Sequence, residues 1–341
     1  MMGRSLLLRA SFSAAFLMAA SAPVSAQPFY ENRTVTIIVG FGPGGGYDTM
    51  ARVLARHMGS HMPGKPNFVV MNMSGASGLK SVNHLFSVAP RDGSIFGTFH
   101  SATPLQEALR SKAVRFKSVE LSWVGSLSES VNVLAVTDAA GVRTLEEAKS
   151  RQVIMGAVGS GGGIMGAYPR LMNALLQTRF KIVAGYRGSN DVFLAMEREE
   201  VHGATTAWAS WKIARPTWVR DGKVVPLVQI GSKKNADLPD TPLLLDLVKN
   251  EDQRRMVHLL SGNMQIERPF AGPPAIPQAR LALLRRAFNA TVRNTAFLAD
   301  AKQAGETIDP RTGEEVAEIV RQIVETPAAL VDRLGAATGL K

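Results

Sequence analysis

The chain of 341 residues contains no cysteine. Disulfide bonds, thiolate metal sites and a cysteine nucleophile are therefore excluded. Blocks of like charge are also missing, although the formal net charge is +11. Because the lysines and arginines are spread along the chain, we interpret them as solvated surface charge with a mild attraction for anionic solutes. A nucleic-acid partner is not expected.

Long apolar runs are scarce as well. After residue 26, no stretch of the sequence is apolar enough to cross a bilayer. Before it, Arg4 and Arg9 lead into the apolar and small residues SFSAAFLMAASAPVSA, and Val24-Ser25-Ala26 fits the small-x-small cleavage pattern. We expect a secretory signal peptide cut after Ala26. Its removal leaves 315 residues with a net charge of +9, and the protein is expected to be exported and soluble.

The remaining sequence alternates short apolar runs with stretches of helical spacing. This alternation predicts α/β architecture with parallel sheets and helices on their faces. Two such series without a flexible linker predict two sheets that face one another across a cleft. Predicted strands are 34–41, 68–73, 94–100, 130–137, 152–158, 180–186 and 224–231; predicted helices are 48–62, 78–89, 144–150, 164–176 and 191–201, followed by a mostly helical last third.

Signatures of common enzymes are incomplete. Gly40, Gly42 and Gly45 match the dinucleotide fingerprint, but no Asp or Glu lies between Asp48 and Asp92 to hold a ribose. An exported redox protein therefore stays a minor alternative. Ser160 lacks the flanking glycines of an esterase elbow, so a secreted serine hydrolase that pairs Ser160 with His100 is also a minor alternative.

Metal and cofactor signatures are weak too. His57 and His61 share a helix face, but Met58 stands where a metalloprotease needs its glutamate. No metal ion and no cofactor are expected.

Four loops rich in small residues each follow a predicted strand and precede a helix. They span residues 41–48, 74–78, 159–163 and 186–191. Glycine lets backbone N–H groups approach a ligand closely, and the free N–H groups of a helix start accept an anion. Since the first three loops contain no Arg or Lys, a small carboxylate fits better than a phosphate, with Arg187 in the fourth loop as the exception. Asp48 and Asp191 stand where helix N-caps belong, and capping is their expected role.

Several segments together resemble one family. They are VTIIVGFGPGGGYDTMARVLARHM, VVMNMSGASGLKSVNHLFSVAPRDG, GYRGSND and ADLPDTPLLLDL. In this order they resemble the Bug family, also called TctC-like, of periplasmic solute-binding receptors of tripartite tricarboxylate transporters. The resemblance covers essentially the whole mature chain.

The resemblance implies a two-lobed periplasmic-binding-protein fold, a Venus flytrap of type II-like architecture with two crossover strands as its hinge. It places lobe 1 at residues 27–127 and 232–341 and lobe 2 at 128–231. It also implies that one carboxylate of an organic acid binds against the two lobe-1 loops. The ligand-binding residues expected on this basis are Phe41, Gly44, Gly45, Gly46, Tyr47, Ser74, Gly75, Ala76, Ser77, Gly78, His100, Ser101, Ser160, Gly161, Gly162, Gly163, Tyr186, Arg187, Gly188 and Asn190.

This chain departs from the family pattern in places. Pro43 and Tyr47 replace smaller residues of the first loop, Ala167-Tyr168 stands where many members carry a histidine, and Arg187 stands where lysine is commoner. These changes leave open which acid is bound, and whether Tyr47 contacts a ligand or packs at the helix start.

The expected function is that of a non-enzymatic periplasmic receptor. It would capture a small organic acid, a di- or tricarboxylate or a related carboxylate, and deliver it to the permease subunits of a tripartite tricarboxylate transporter. A monomer is expected. The ligand-binding component of an extracytoplasmic sensing system is the alternative.

Overall fold

The computed structural model describes residues 29–159, 161 and 163–340. The predicted signal peptide, Ser160 and Gly162 lie outside these residues. The strands are β1 (Thr34–Val39), β2 (Asn67–Asn72), β3 (Ile95–Thr98), β4 (Ser122–Ser128), β5 (Asn132–Val136), β6 (Val153–Val158), β7 (Phe180–Tyr186), β8 (Gly203–Ala207), β9 (Val225–Ile230), β10 (Glu267–Gly272) and β11 (Arg311–Thr312).

The helices lie between these strands and in the last third of the chain. They are α1 (Gly46–Met58), α2 (Leu79–Ser87), α3 (Thr103–Ala108), α4 (Glu147–Ser150), α5 (Gly163–Leu176), α6 (Ser189–Glu197), α7 (Trp208–Ala214), α8 (Pro216–Arg220), α9 (Leu244–Leu247), α10 (Glu251–Ser261), α11 (Gln278–Thr291), α12 (Thr295–Gln303), α13 (Gly313–Val324) and α14 (Ala328–Thr338).

The first sheet has six strands in the order β11-β4-β10-β3-β1-β2. β1 forms because its run TVTIIV is rich in β-branched residues, and it pairs in parallel with β2 and β3. β10 inserts antiparallel between β3 and β4. Helix α1 buries Met50, Val53 and Leu54 along one face, in the same hydrophobic cluster as Val35, so the cluster fixes the helix against the sheet.

The second sheet has five strands in the order β7-β6-β8-β5-β9. β6 pairs in parallel with β7 and β8, whereas β5 runs antiparallel to β8 and β9. The prediction of parallel sheets is therefore wrong in part: both sheets are mixed. In the first sheet β10 and the short β11 run opposite to the other strands, and in the second sheet β5 does. Both β10 and β5 are reached by a segment that crosses between the sheets rather than through a strand-helix-strand unit.

The two sheets are joined at one edge by the chain itself. β4 ends at Ser128 in the first sheet, and β5 begins at Asn132 in the second. The return path leaves β9, runs through α9 and α10, and enters β10. The N–H of Ser130 donates to the carbonyl of Met264 at 2.9 Å, so the outgoing and returning segments are hydrogen-bonded where they cross.

The C-terminal tail makes a further passage between the sheets. α13 packs on β4 of the first sheet, whereas α14 packs on α5 beside the second. Leu330, Val331 and Leu334 of α14 share a buried cluster with Leu171 of α5. α10 and α14 lie within residues 232–341, which the sequence assigns to lobe 1, yet both contribute to this cluster. The lobe boundaries therefore stay a prediction.

Within the described part of the chain, no helix is both long and apolar enough to span a membrane.

Candidate functional site

The first loop leads from β1 into α1. The helix begins at Gly46 after the extended Gly45, and no side chain caps it. Asp48 instead accepts a hydrogen bond from the N–H of Gly44 at 2.9 Å and so holds the loop ahead of the helix. Its expected role as the N-cap of α1 is therefore wrong. The backbone at Gly44 has φ +82°, a conformation that favours glycine.

Asp48 is buried among donors. Arg52 makes two hydrogen bonds to its carboxylate, each 2.9 Å long, and the amide of Asn72 donates to it at 2.8 Å. The same Asn72 amide donates to the carbonyl of Phe41 at 2.9 Å. The hydrogen bonds, that from Arg52 above all, lower the pKa of Asp48 to about 2 against the opposing effect of burial. One charged group thus ties the first loop to the end of β2.

The second loop, 74–78, leads from β2 into α2, and Ser74, Gly75 and Ala76 are exposed. Gly75 and Gly78 have φ values of +144° and +91°, and α2 again begins without a side-chain cap. A Cβ on Gly40 would lie 2.7 Å from the Ser81 hydroxyl and 3.0 Å from Cα of Gly78. Gly40 of the apparent dinucleotide fingerprint therefore lets β1 approach the second loop closely.

A third group of expected residues lies at the end of β3. The rings of Phe41 and Tyr47 stack with centroids 4.6 Å apart, and the imidazole of His100 lies 6.3 Å from the Tyr47 ring. Ser101 is buried, and its N–H donates to the Tyr47 hydroxyl at 3.2 Å. The Nδ1 atom of His100 accepts from the N–H of Ala102 at 3.0 Å. The structure thus brings the first loop, the second loop and the end of β3 together.

Sequence reasoning missed two residues of this region, Glu267 and Arg268. The hydroxyls of Tyr47 and Ser101 donate to the two carboxylate oxygens of Glu267 at 3.0 and 2.8 Å. The Arg268 guanidinium lies 5.3 Å from the centre of the Tyr47 ring and 3.3 Å from Glu267, and it also pairs with Glu306. The acid and the arginine open a strand that starts 220 residues after Tyr47, so no local pattern could have revealed the contact.

The environment shifts two pKa values in this region. Burial, reinforced by the charge of Glu267, raises the pKa of Tyr47 far above its usual value. Tyr47 therefore stays protonated and keeps its hydrogen bond to Glu267. Desolvation lowers the pKa of His100, although the residue as a whole is exposed and Glu267 offsets part of the effect. The imidazole is therefore neutral at pH 7.

The third and fourth loops lie together at the edge of the second sheet. The N–H of Gly159 donates to the carbonyl of Tyr186, and the N–H of Gly185 donates to the carbonyl of Gly159, both at 2.9 Å. The carbonyl of Gly161 accepts from Arg170 at 3.0 Å. α5 begins at Gly163, directly after this loop.

The fourth loop ends at α6, which is preceded by Gly188 and has no side-chain cap. Asp191 therefore does not cap its helix, and the expectation that it does is wrong. It accepts from the exposed Arg187 at 3.1 Å. Tyr186 is half-buried, and desolvation raises its pKa. Asn190 is exposed.

The two groups of loops belong to separate sheets. Among the described residues, no hydrogen bond joins the loops of the first sheet to those of the second. A cavity of about 810 Å³ lies where the chain crosses between the sheets. Its described lining contains no residue of the four loops, but Glu267 on its wall is hydrogen-bonded to Tyr47 of the first loop. Its wall includes Glu267 and Arg268 of the first sheet and Trp208 and Lys212 beyond the second.

The described residues contain no group of three His, Asp or Glu side chains that could hold a metal ion. The Nε2 atom of His57 instead lies 2.9 Å from the Asp300 carboxylate.

Comparison with known proteins gives the following similarities. No family model matches the chain. It is 25% identical over 325 residues to Protein BugT of Bordetella pertussis, with 93% of both chains covered. It superposes on a ligand-free TctC solute-binding protein from Polaromonas with a TM-score of 0.72 and 17% identity, covering 89% of this chain and 99% of the other.

Two ligand-bound structures are also similar. MatC from Rhodopseudomonas palustris with bound malate gives a TM-score of 0.57 at 20% identity and covers 88% and 99% of the two chains. A second protein of that organism, with adipate, gives 0.58 at 19% identity and covers 90% and 98%. The two-lobed fold and the resemblance to the Bug/TctC family are confirmed. The Polaromonas protein among them is a solute-binding protein.

Proposed function

We propose, from the confirmed resemblance to the Bug/TctC receptors, that this chain captures a small organic acid between its two lobes and delivers it to a membrane transporter. The acid's carboxylate would bind to backbone N–H groups of the first and second loops. Closure would bring Tyr186 and the third loop over it. The exported receptor, released from its signal peptide after Ala26, would act as a monomer with the permease subunits of a tripartite tricarboxylate transporter.

The observation that carries the proposal is that two helix starts without side-chain caps lie at the same edge of the first sheet. The N-cap residues are Gly45 for α1 and Gly78 for α2, and no side chain accepts a hydrogen bond from the start of either helix. The first N–H groups of α1 have no partner inside the helix, and the helix dipole attracts negative charge to them. At α2 the N–H groups of Leu79 and Lys80 donate to the carbonyls of Ala76 and Gly75, so the second loop offers the N–H groups at the start of its own turn, from Ala76 on. Because Gly40 lets the first strand approach the second loop closely, both helix starts lie at one edge of the sheet.

The energy available at such a site is sufficient. A helix dipole stabilises a partly buried anion by up to ~2 kcal/mol. Each hydrogen bond to a charged group adds ~1.5–3 kcal/mol. Two dipoles and a few hydrogen bonds, less the cost of ordering the ligand, reach the roughly −8 kcal/mol of a micromolar complex. No metal ion or cofactor is needed for this affinity.

The relatives support a carboxylate ligand. The similar structures hold malate in one protein and adipate in another, and both compounds are small dicarboxylates. A role as the binding component of a sensing system would use the same site, and it differs only in the membrane partner.

A thermal-shift screen tests the proposal. Dicarboxylates, aromatic acids and neutral sugars are added to the purified mature protein, and the melting temperature is measured. We expect at least one acid to raise the melting temperature and the sugars to leave it unchanged. A shift produced by a sugar and by no acid would contradict the carboxylate site. Native mass spectrometry of protein purified without refolding would then identify any retained acid.

A further inference from the structure

Glu267 places a carboxylate beside the loops that we propose to bind an anion. It begins β10, and its two oxygens accept hydrogen bonds from Tyr47 and Ser101 at 3.0 and 2.8 Å. Both donors are among the expected ligand-binding residues. Since β10 pairs with β3 in the first sheet, Glu267 lies at the same edge as His100 and the first loop.

The negative charge of Glu267 is only partly neutralised. Arg268 lies 3.3 Å from Glu267, but it also pairs with Glu306, so one guanidinium serves two carboxylates. The three side chains, two carboxylates and one guanidinium, have a formal net charge of −1. Three lysines also lie on the cavity wall, but each has another partner: Lys212 pairs with Asp237, Lys233 with Asp309, and Lys234 donates to the carbonyl of Pro239. A second anion placed a few Å from Glu267 would therefore be disfavoured by its charge.

Glu267 also retains the capacity to accept a hydrogen bond from a ligand. An ionised carboxylate offers about four lone-pair sites. The structure shows three donors on Glu267: the hydroxyls of Tyr47 and Ser101 and the guanidinium of Arg268. The side chain is 23% exposed, and it lies on the wall of the 810 Å³ cavity between the lobes.

We propose that Glu267 determines the specificity of the site by favouring acids whose far end carries an ammonium or another hydrogen-bond donor over acids with a second carboxylate. The proposal rests on the function proposed above and narrows its ligand class. The first carboxylate occupies the helix starts of α1 and α2. The far end of the ligand then meets Glu267.

Two series of matched acids test this specificity. Butyrate, 4-aminobutyrate and succinate share one chain length, and hexanoate, 6-aminohexanoate and adipate share a longer one; each series differs only in its far end. Isothermal titration calorimetry measures their affinities for the wild-type protein. In the series whose length fits, we expect the amino acid to bind at least about tenfold more tightly than the dicarboxylate.

Variants separate charge from shape. Glu267→Gln keeps the length of the side chain but removes its charge. We expect its preference for the amino acid over the dicarboxylate to fall below about threefold. Glu267→Asp keeps the charge and should keep the order of affinities. Glu146→Gln makes the same change on an exposed residue of the second lobe and should alter nothing. Circular dichroism shows whether each variant folds. If Glu267→Gln does not fold, the ratio of the wild-type affinities for the amino acid and the dicarboxylate tests the proposal by itself.

The outcomes distinguish the two proposals. Dicarboxylates that bind the wild type as tightly as the amino acids, or a ratio unchanged in Glu267→Gln, would overturn the specificity of Glu267 and leave the carboxylate site standing. Failure of every acid in both series and in the thermal-shift screen would overturn the proposed function itself.

Discussion

Asp48 shows how a single residue shapes the candidate site. Its carboxylate joins the first loop, helix α1 and the end of β2 through Gly44, Arg52 and Asn72. From the sequence, an acid next to a glycine-rich turn predicts a helix cap, at Asp48 and at Asp191 alike. The partners that give Asp48 its actual role come from other segments, as does Glu267 beside Tyr47. The loops could therefore be predicted, but the side-chain contacts that hold them could not.

The charge of Asp48 should contribute measurably to stability. Its folded pKa of about 2 lies below the ordinary value of 3.8, and the difference corresponds to about 2 kcal/mol. We expect Asp48→Asn to lower the free energy of unfolding by about this amount at pH 7, as measured by urea denaturation. Because a depressed pKa stabilises above the unfolded value, the difference from wild type should be full above pH 5 and shrink as the pH falls toward 2.

A matched control is available on the other lobe. Asp191 also pairs with an arginine four residues away, but its side chain is 32% exposed and that of Arg187 is 92% exposed. Asp191→Asn should therefore change the free energy of unfolding by less than about 0.5 kcal/mol. Equal losses in the two variants would contradict a special role for Asp48.

Gly45 offers a test of the first loop that should spare the fold. Its backbone is extended with φ −79°, and an added Cβ would meet no atom closer than the Gly42 carbonyl at 3.9 Å. We expect Gly45→Val to fold normally and to bind an acid from the screen at least about tenfold more weakly, which is about 1.4 kcal/mol. Gly42→Val changes the same loop outside the expected ligand-binding residues. Its affinity for the acid should stay closer to that of the wild type. Unchanged affinity in folded Gly45→Val would remove the loop from the site.

At the scale of elements, the strands and helices of the two series follow the sequence patterns closely. β7 begins and ends at the predicted residues 180 and 186, and α5 differs from its prediction by a single residue. The predicted strands do not include β4, β8, β10 or β11, which the structure adds. The direction of β5 cannot be read from these patterns either, because hydrophobic alternation carries no information about which neighbour a strand will pair with. The mixed sheets result from long-range pairing that only the folded chain reveals.

The crossing between the sheets is held by a buried charge. The carboxylate of Glu129, between β4 and β5, has a side chain only 2% exposed; it pairs with Arg311 of β11 at 2.9 Å and accepts from Ser232 beyond β9. Lys233 pairs with the same Glu129 carboxylate at 3.5 Å and with Asp309 at 2.7 Å, but its side chain is 59% exposed. The carboxylate of Glu129 thus contacts both β11 of the first sheet and the segment that follows β9 of the second.

Removal of this acid should destabilise the protein more than removal of the lysine. We expect Glu129→Gln to lower the free energy of unfolding by about 2 kcal/mol, less than a fully buried pair loses, because Arg311 is 25% exposed. Lys233→Met should cost less than about 1 kcal/mol. Urea denaturation at low and high salt measures both. A larger loss for Lys233→Met would show that the exposed link, not the buried one, holds the crossing.

For the whole molecule, the path of the tail is the feature that the sequence did not reveal. The amphipathic spacing of the last third predicted helices but not the body on which each would pack. α13 lies on the first sheet, and α14, a few residues later, lies on α5 beside the second. Tyr168 of α5 also donates to the carbonyl of Leu260 in α10 at 3.1 Å, so helices distant in sequence close this side of the second lobe.

Loss of the C-terminal tail should therefore lower the stability of the region around α5 and β6, which is distant from the tail in sequence. A protein that ends before Pro327 loses Leu330, Val331 and Leu334 from the cluster around α5, and each buried aliphatic side chain contributes about 1.5–3 kcal/mol. We expect amide hydrogen exchange to accelerate by orders of magnitude in α5 and β6 while β1 and β2 stay protected. Faster exchange confined to the first sheet would contradict the packing of α14.

The passage of α14 back across the molecule has a practical consequence for anyone who wishes to study one half alone. No short continuous stretch of the chain contains both the second sheet and the helices packed beside it, since α10 and α14 come from beyond residue 250. A fragment cut at 128 and 231 would leave the apolar side of α5 open to water. Such a piece should aggregate unless the missing helices are supplied separately.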